Sequence, residues 1–375
     1  MWMAMWTFVS LLNRALQPRG GMITRVRVVV IAGWGLTLAF AAPIPVVAQD
    51  NQGWLGKQVV EKHGNFTLRI GDKVVDRAHR IEIYRVERVE GPWLWLRTTG
   101  LQGWALATEV VPVEEAVAFF TTKLIANSGD IHAYTMRAIV RQDNKDFEMA
   151  LADYSEAIRS NPAQAWLFNN RGHHWNLRHE YDRAIADCSE AIRLKPMEPT
   201  AYHNRGIAWA EKGQYDKAIT DYNEAIRLDP RNAVAHHNRG TALVHKKEFE
   251  KALADYDEAI HLDPHFAQAY CCRGTARWAK KEIDKALADF DEAIRLDPKE
   301  PMAYHNRGYA WGAKKVFDKA VADFDEALRL DPQYVQASKG RAWAVALSER
   351  SDADALDGMR TVVTDRQEAH RPIGE

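Results

Sequence analysis

Residues 199–232 read PTAYHNRGIAWAEKGQYDKAITDYNEAIRLDPRN. The stretch holds two helical patterns and a stop. An aromatic at Tyr202, the small Gly206 and Trp209 share one face of a first helix, by their spacing of four and three residues. In a second helix Ala218, Tyr222, Ala225 and Ile226 follow the i, i+4, i+7, i+8 pattern. Asp229-Pro230 ends it, because proline has no amide proton and restricts the residue before it. Gly206, Ala218 and Ala225 are small, which allows the two helices to approach closely.

The same text recurs along the chain. Proline stands at Pro162, Pro196, Pro230, Pro264, Pro298 and Pro332, always 34 residues apart. Arginine keeps the same period at Arg137, Arg171, Arg205, Arg239, Arg273, Arg307 and Arg341, followed by glycine or alanine. This pattern resembles the tetratricopeptide repeat (TPR) family, whose 34-residue unit carries an aromatic, a leucine-glycine pair, further aromatic and alanine positions, then proline. Six units match, at 131–164, 165–198, 199–232, 233–266, 267–300 and 301–334. Arginine replaces the family's leucine, as in the bacterial variant that reads Asn-Arg-Gly (Asn204-Arg205-Gly206, Asn306-Arg307-Gly308). The resemblance implies a mainly α protein, a right-handed α-solenoid of TPR helix pairs.

A ladder of arginines requires anions. Asp187, Asp221, Asp255, Asp289 and Asp323 share its period, as do Glu190, Glu224, Glu258, Glu292 and Glu326. The arginines either stitch neighbouring helices to these acids or capture a phosphate or carboxylate ligand. A solenoid also needs capped ends. Ala116, Phe120 and Leu124 repeat the spacing of a lone second helix, so 113–130 is expected to cap the N-terminal end. Residues 335–365 are a partial repeat that serves as the C-terminal cap, and 366–375 a tail.

Upstream the character changes. In 49–112, Arg80-Ile81-Glu82-Ile83 and Trp93-Leu94-Trp95-Leu96-Arg97 suggest about five short strands separated by Gly-containing turns. Trp93, Trp95 and the pair Gly103-Trp104 resemble bacterial SH3-like domains, implying a small all-β barrel. These tryptophans are either barrel core, the expectation favoured here, or a ligand-binding shelf. Before that, Val28–Val47 is a 20-residue run without a charge, preceded by Arg25 and Arg27. Pro43 and Pro45 interrupt it, and Val46-Val47-Ala48 suits signal-peptidase cleavage before Gln49. Residues 1–48 are expected to be a signal peptide, with a signal anchor as the alternative and Met22 as an alternative start. Both export the rest of the chain, to the periplasm or cell envelope. The order of leader, SH3-like domain and Asn-Arg-Gly repeats resembles exported bacterial repeat proteins.

Composition excludes several functions. Fifty lysines and arginines stand against 51 acids, a net charge of −1, which gives no global field toward nucleic acid. The three cysteines, Cys188, Cys271 and Cys272, do not form a zinc or redox motif. No phosphate loop, His-Glu-x-x-His or Gly-x-Ser-x-Gly occurs. No cofactor and no metal are expected, and the chain is read as non-enzymatic.

The family resemblance implies that first helices line a concave groove. That places Asn170, Asn204, Asn238 and Asn306 there, beside Asn169, His203, His237 and His305. Each amide offers a donor and an acceptor to an extended peptide backbone, while His173, Trp278 and Tyr309 supply pockets. Family members that clamp a C-terminal carboxylate use lysines where this chain has Thr135, Asn169, His203, His237, Cys271 and His305. The expected function is a protein-protein interaction scaffold that binds a partner protein or peptide in the groove. The alternative is recognition of cell-wall material through the SH3-like domain, with membrane contact only through an uncleaved leader.

Overall fold

The computed structural model describes residues 51–64, 67–70, 73–75, 83–98 and 101–350. The expected leader and tail, and the part of the C-terminal cap from Ser351 onward, lie outside these residues.

The N-terminal part is an antiparallel sheet of seven strands rather than five. They are β1 (Gln58–Glu61), β2 (Leu68–Ile70), β3 (Lys73–Val75), β4 (Tyr84–Glu90), β5 (Trp93–Thr98), β6 (Leu101–Leu106) and β7 (Val110–Pro112). Their spatial order is β3-β2-β6-β5-β4-β1-β7. Alternation along a strand sends successive side chains to opposite faces, and β5 decides which face is buried. Leu94 and Leu96 are fully buried with Val59, Leu68, Tyr84 and Ala105, whereas Trp93 and Trp95 are half-exposed. The tryptophans do share a side, but it is the side away from the core. Trp95 pairs with Trp104 across β5 and β6, ring centroids 5.2 Å apart in an edge arrangement.

Val60 and Val111 face a second cluster with Ala116, Phe120 and Leu124 of helix α1 (Val113–Ala126) and Met136 of the first repeat. The sheet thus continues into the array through a shared apolar contact.

Each repeat is a helix pair. The six are α2 (Ile131–Asp143) with α3 (Phe147–Ser160), α4 (Ala165–Leu177) with α5 (Tyr181–Leu194), and α6 (Pro199–Glu211) with α7 (Tyr215–Leu228). Then come α8 (Ala233–His245) with α9 (Phe249–Leu262), α10 (Ala267–Ala279) with α11 (Ile283–Leu296), and α12 (Pro301–Ala313) with α13 (Phe317–Leu330). Residues 335–350 form a further helix, α14. Within the described residues no helix is long and apolar enough to cross a membrane.

The glycine that the first helices carry from the second unit onward has a packing cause. A Cβ on Gly206 would stand 2.7 Å from the ring of Tyr222, itself 2% exposed, so only hydrogen lets the ring lie against the helix. The turn inside each pair reverses through one left-handed residue: Lys145, His179, Gly213, Lys247, Lys281 or Lys315, with φ between 60° and 71°. Only the third unit places there the residue that adopts this conformation freely.

The arginine ladder stitches helices. Arg171, Arg205, Arg239 and Arg307 each grip both oxygens of the aspartate sixteen residues on, through Nε and Nη2. Their Nη1 reaches back across the unit boundary. Over the whole ladder that outer partner changes steadily: Thr121, Ser155, Ser189, Asn223, Asp257, Asp291 and, for Arg341, Asp325. The glutamates Glu190, Glu224, Glu292 and Glu326 instead pair with the exposed arginine three residues later. The guanidinium groups are therefore occupied by the fold.

Candidate partner-binding channel

Successive first helices, α4 with α6, α6 with α8, α8 with α10 and α10 with α12, pack on each other, and no comparable packing joins successive second helices. The stack therefore curves with the first helices inside, and they form the channel wall.

The asparagines of the Asn-Arg-Gly motif sit in that inner contact. Asn204 Nδ2 donates to Asn169 Oδ1 at 3.0 Å, Asn238 Nδ2 meets His203 Nε2 at 2.9 Å, and Asn306 Nδ2 donates to Thr275 Oγ1 at 3.2 Å. Their amide protons thus hold one unit to the preceding one. Asn170 is half-buried on the same wall. Nothing in a single repeat's sequence signals this ladder; the signal is the pairing of each asparagine with the side chain 35 or 31 residues earlier.

The histidines are packed side chains. His203 lies 5.8 Å from the Tyr222 ring, and His237 lies between Tyr256 and Phe266 at 5.7 and 5.0 Å. Loss of solvation lowers the pKa of both to about 4, so each is neutral at physiological pH. Asn238 donating to His203 Nε2 places the remaining ring proton of His203 on Nδ1. His305 sits among Tyr309, Phe324 and Tyr334, and burial lowers its pKa as well. Tyr309 bridges from Phe324 to Trp343, at 5.1 and 5.5 Å. His173 and Trp278 are exposed on the wall, Trp278 by 41%.

A site missed from sequence is His174, 1% exposed where the later units have Ala208, Ala242, Ala276 and Ala310. Its ring lies 5.0 Å from Tyr154, both ring nitrogens lack a hydrogen-bond partner, and desolvation lowers its pKa to about 4. Comparing the units column by column reveals the substitution.

Among the described residues no three histidine, cysteine or carboxylate side chains converge as a metal ion requires. The cysteines are packing residues in the described structure: Cys188 is fully buried against Gly172, Cys271 is 2% exposed, and none forms a disulfide.

Profiles of the tetratricopeptide repeat match residues 135–199, 233–266, 267–300 and 303–334, and a TPR repeat profile matches 208–247. The chain is a TPR protein. Its TPR array is similar in fold to the Cut9-Hcn1 hetero-tetramer of the APC/C, with 16% identity, a TM-score of 0.56, and coverage of 62% of this chain and 46% of that one. A tetratricopeptide repeat protein of Parabacteroides merdae gives 14% identity, a TM-score of 0.52, and coverage of 62% and 92%. YrrB, described as a TPR protein with an unusual peptide-binding site, gives 25% identity and a TM-score of 0.41 over 50% of this chain and 97% of its own. No protein of curated function matches the TPR chain by sequence. TPR proteins generally are protein-interaction scaffolds.

Proposed function

We propose that this protein is a non-enzymatic scaffold of the bacterial cell envelope that holds an extended segment of a partner protein along its TPR channel. One observation carries the reading. Helices α4, α6, α8, α10 and α12 bear no charged side chain except the ladder arginines, Arg277 and Glu211. The ladder arginines and Arg277 are tied to aspartates of the second helices. A protein with 27% charged residues thus keeps its inner wall nearly neutral while its second helices are densely charged. Such a wall, with exposed His173 and Trp278 and amide oxygens along the contact, suits a neutral main chain rather than a charged terminus. The uncharged run Val28–Val47 supports export.

The test uses the whole chain as bait in an envelope extract, beside a His173→Ala, Trp278→Ala double variant. A protein crosslinked to the wall of the unmutated bait and lost from the variant supports the reading. Equal capture by both overturns it, and retention of a C-terminally tagged chain in the cytosol overturns the envelope location.

A second reading rests on the sheet, taken as the SH3-like domain. Trp95 and Trp104 stand outside its core, with Arg88 and Arg69 paired beside them in the neighbouring strands. This half-exposed aromatic face suits a ligand such as cell-wall glycopeptide. Binding of purified wall material that survives Trp95→Ala would overturn it.

A further inference from the structure

The inner wall has a recess of about 430 Å³ between the third and fourth units. Its cause is a single small residue. At the twelfth position of the first helix the units carry Gln142, Asn176, Ala210, Val244, Trp278 and Gly312. Asn176 fills its step by donating to the Asn204 carbonyl at 2.8 Å. Gly312 is as small as Ala210, but the Trp343 indole covers it and takes the place where a Cβ would stand. At Ala210 the column leaves room that no side chain of the described residues occupies.

The recess has an apolar floor and one charge. Ile207, Ala210 and Ala242 line it together with the ring of Tyr222. Tyr215 forms one side, stacked on His245 at 4.5 Å with the rings 5° from parallel. Glu211 lies in the lining and is exposed. Its carboxylate accepts one hydrogen bond, from Tyr181 Oη at 3.2 Å, and makes no ion pair among the described residues. The contrast with its surroundings is sharp, since neighbouring acids on the second helices, Asp182, Asp216, Glu250 and Asp284, each bind a lysine of the following unit. Glu211 is the uncompensated charge on five otherwise balanced helices.

We infer that this recess is the specificity pocket of the channel and receives a lysine or arginine side chain of the bound segment. This rests on the channel reading and adds the chemistry of one ligand residue. The aliphatic stem of such a side chain covers Ile207, Ala210 and Ala242, and its cationic head pairs with Glu211. A carboxylate would meet repulsion there, and a purely apolar side chain would leave Glu211 without a counter-charge.

Panning a random twelve-residue peptide display library against the whole chain tests this, beside the Glu211→Gln and Ala210→Trp variants, with helicity checked by circular dichroism. The unmutated protein is expected to select peptides with lysine or arginine at one fixed place. Glu211→Gln should remove that preference and weaken binding of a selected peptide about tenfold, as loss of one charged hydrogen-bonded contact implies. Ala210→Trp should fill the recess and abolish the preference at unchanged helicity. Peptides selected without a basic residue, or with the same preference by all three proteins, overturn the pocket while leaving the channel. Failure of the unmutated chain to select any peptide overturns both.

Discussion

Arg205 grips Asp221 with two parallel bonds, Nε to Oδ2 at 2.8 Å and Nη2 to Oδ1 at 2.7 Å, and uses its remaining arm on Ser189 of the preceding unit at 3.1 Å. The hydrogen bond to Asp221 raises the pKa of the guanidinium, and the aspartate itself is 4% exposed. One side chain thus joins three helices.

Asp221→Ala leaves a partly buried guanidinium without its counter-charge, and urea unfolding is expected to show a loss of about 3 kcal/mol. Arg205→Leu together with Asp221→Leu should restore much of it, because an apolar pair carries no desolvation cost. A double variant as unstable as Asp221→Ala would contradict this account.

Much of the architecture was legible before any coordinates. The 34-residue spacing from Pro162 to Pro332 carries the helix-turn-helix unit, because small, aromatic and stop positions are local requirements repeated in register. Other features depend on which side of an element meets which neighbour. Trp93 and Trp95 look like core residues by size, yet the pleat gives the core to Leu94 and Leu96. The motif asparagines look ligand-facing, yet Asn204, Asn238 and Asn306 each commit amide N–H to the preceding unit, and only a stacked pair of units reveals that. The recess at Ala210 was invisible because a void follows from what neighbouring units fail to fill.

Lys281 turns the chain at φ 65°, a conformation in which a Cβ is crowded by the backbone. Gly213 occupies the same place in the third unit. Lys281→Gly is expected to stabilise by about 0.5–1 kcal/mol, the relief of left-handed strain exceeding the added chain entropy. The same change at a regular helical site such as Lys285 should destabilise by about 1 kcal/mol. Thermal melts of the two variants check the opposite signs.

His174 sets a pH dependence. Its folded pKa of about 4 lies below the ordinary 6.5, so between these values the unfolded chain binds more protons than the folded one. Stability therefore falls as the pH drops from about 6.5 toward 4, by up to about 1.4 kcal/mol per pH unit for this group. His203 and His237 act in the same direction. His174→Ala, which installs the residue found in later units, should flatten the slope of stability against pH. An unchanged slope would show that folding does not shift the His174 pKa and would contradict this account.

Burial pushes the Cys188 and Cys271 thiols up to about 12 and Cys272 to about 11. A thiolate is the reactive form, so the native protein should resist Ellman's reagent at pH 8 and release three equivalents in guanidinium chloride. Rapid labelling of the native chain would contradict this packing.

The outer partners of the arginine ladder pass from hydroxyl and amide at Thr121, Ser155, Ser189 and Asn223 to half-exposed carboxylate at Asp257, Asp291 and Asp325. Dissolved electrolyte screens exposed charge pairs and leaves neutral hydrogen bonds almost untouched. The outer contacts of the ladder are consequently more open to screening toward the C-terminal end than toward the N-terminal end. Units exchanged between the ends would carry that electrolyte sensitivity with them.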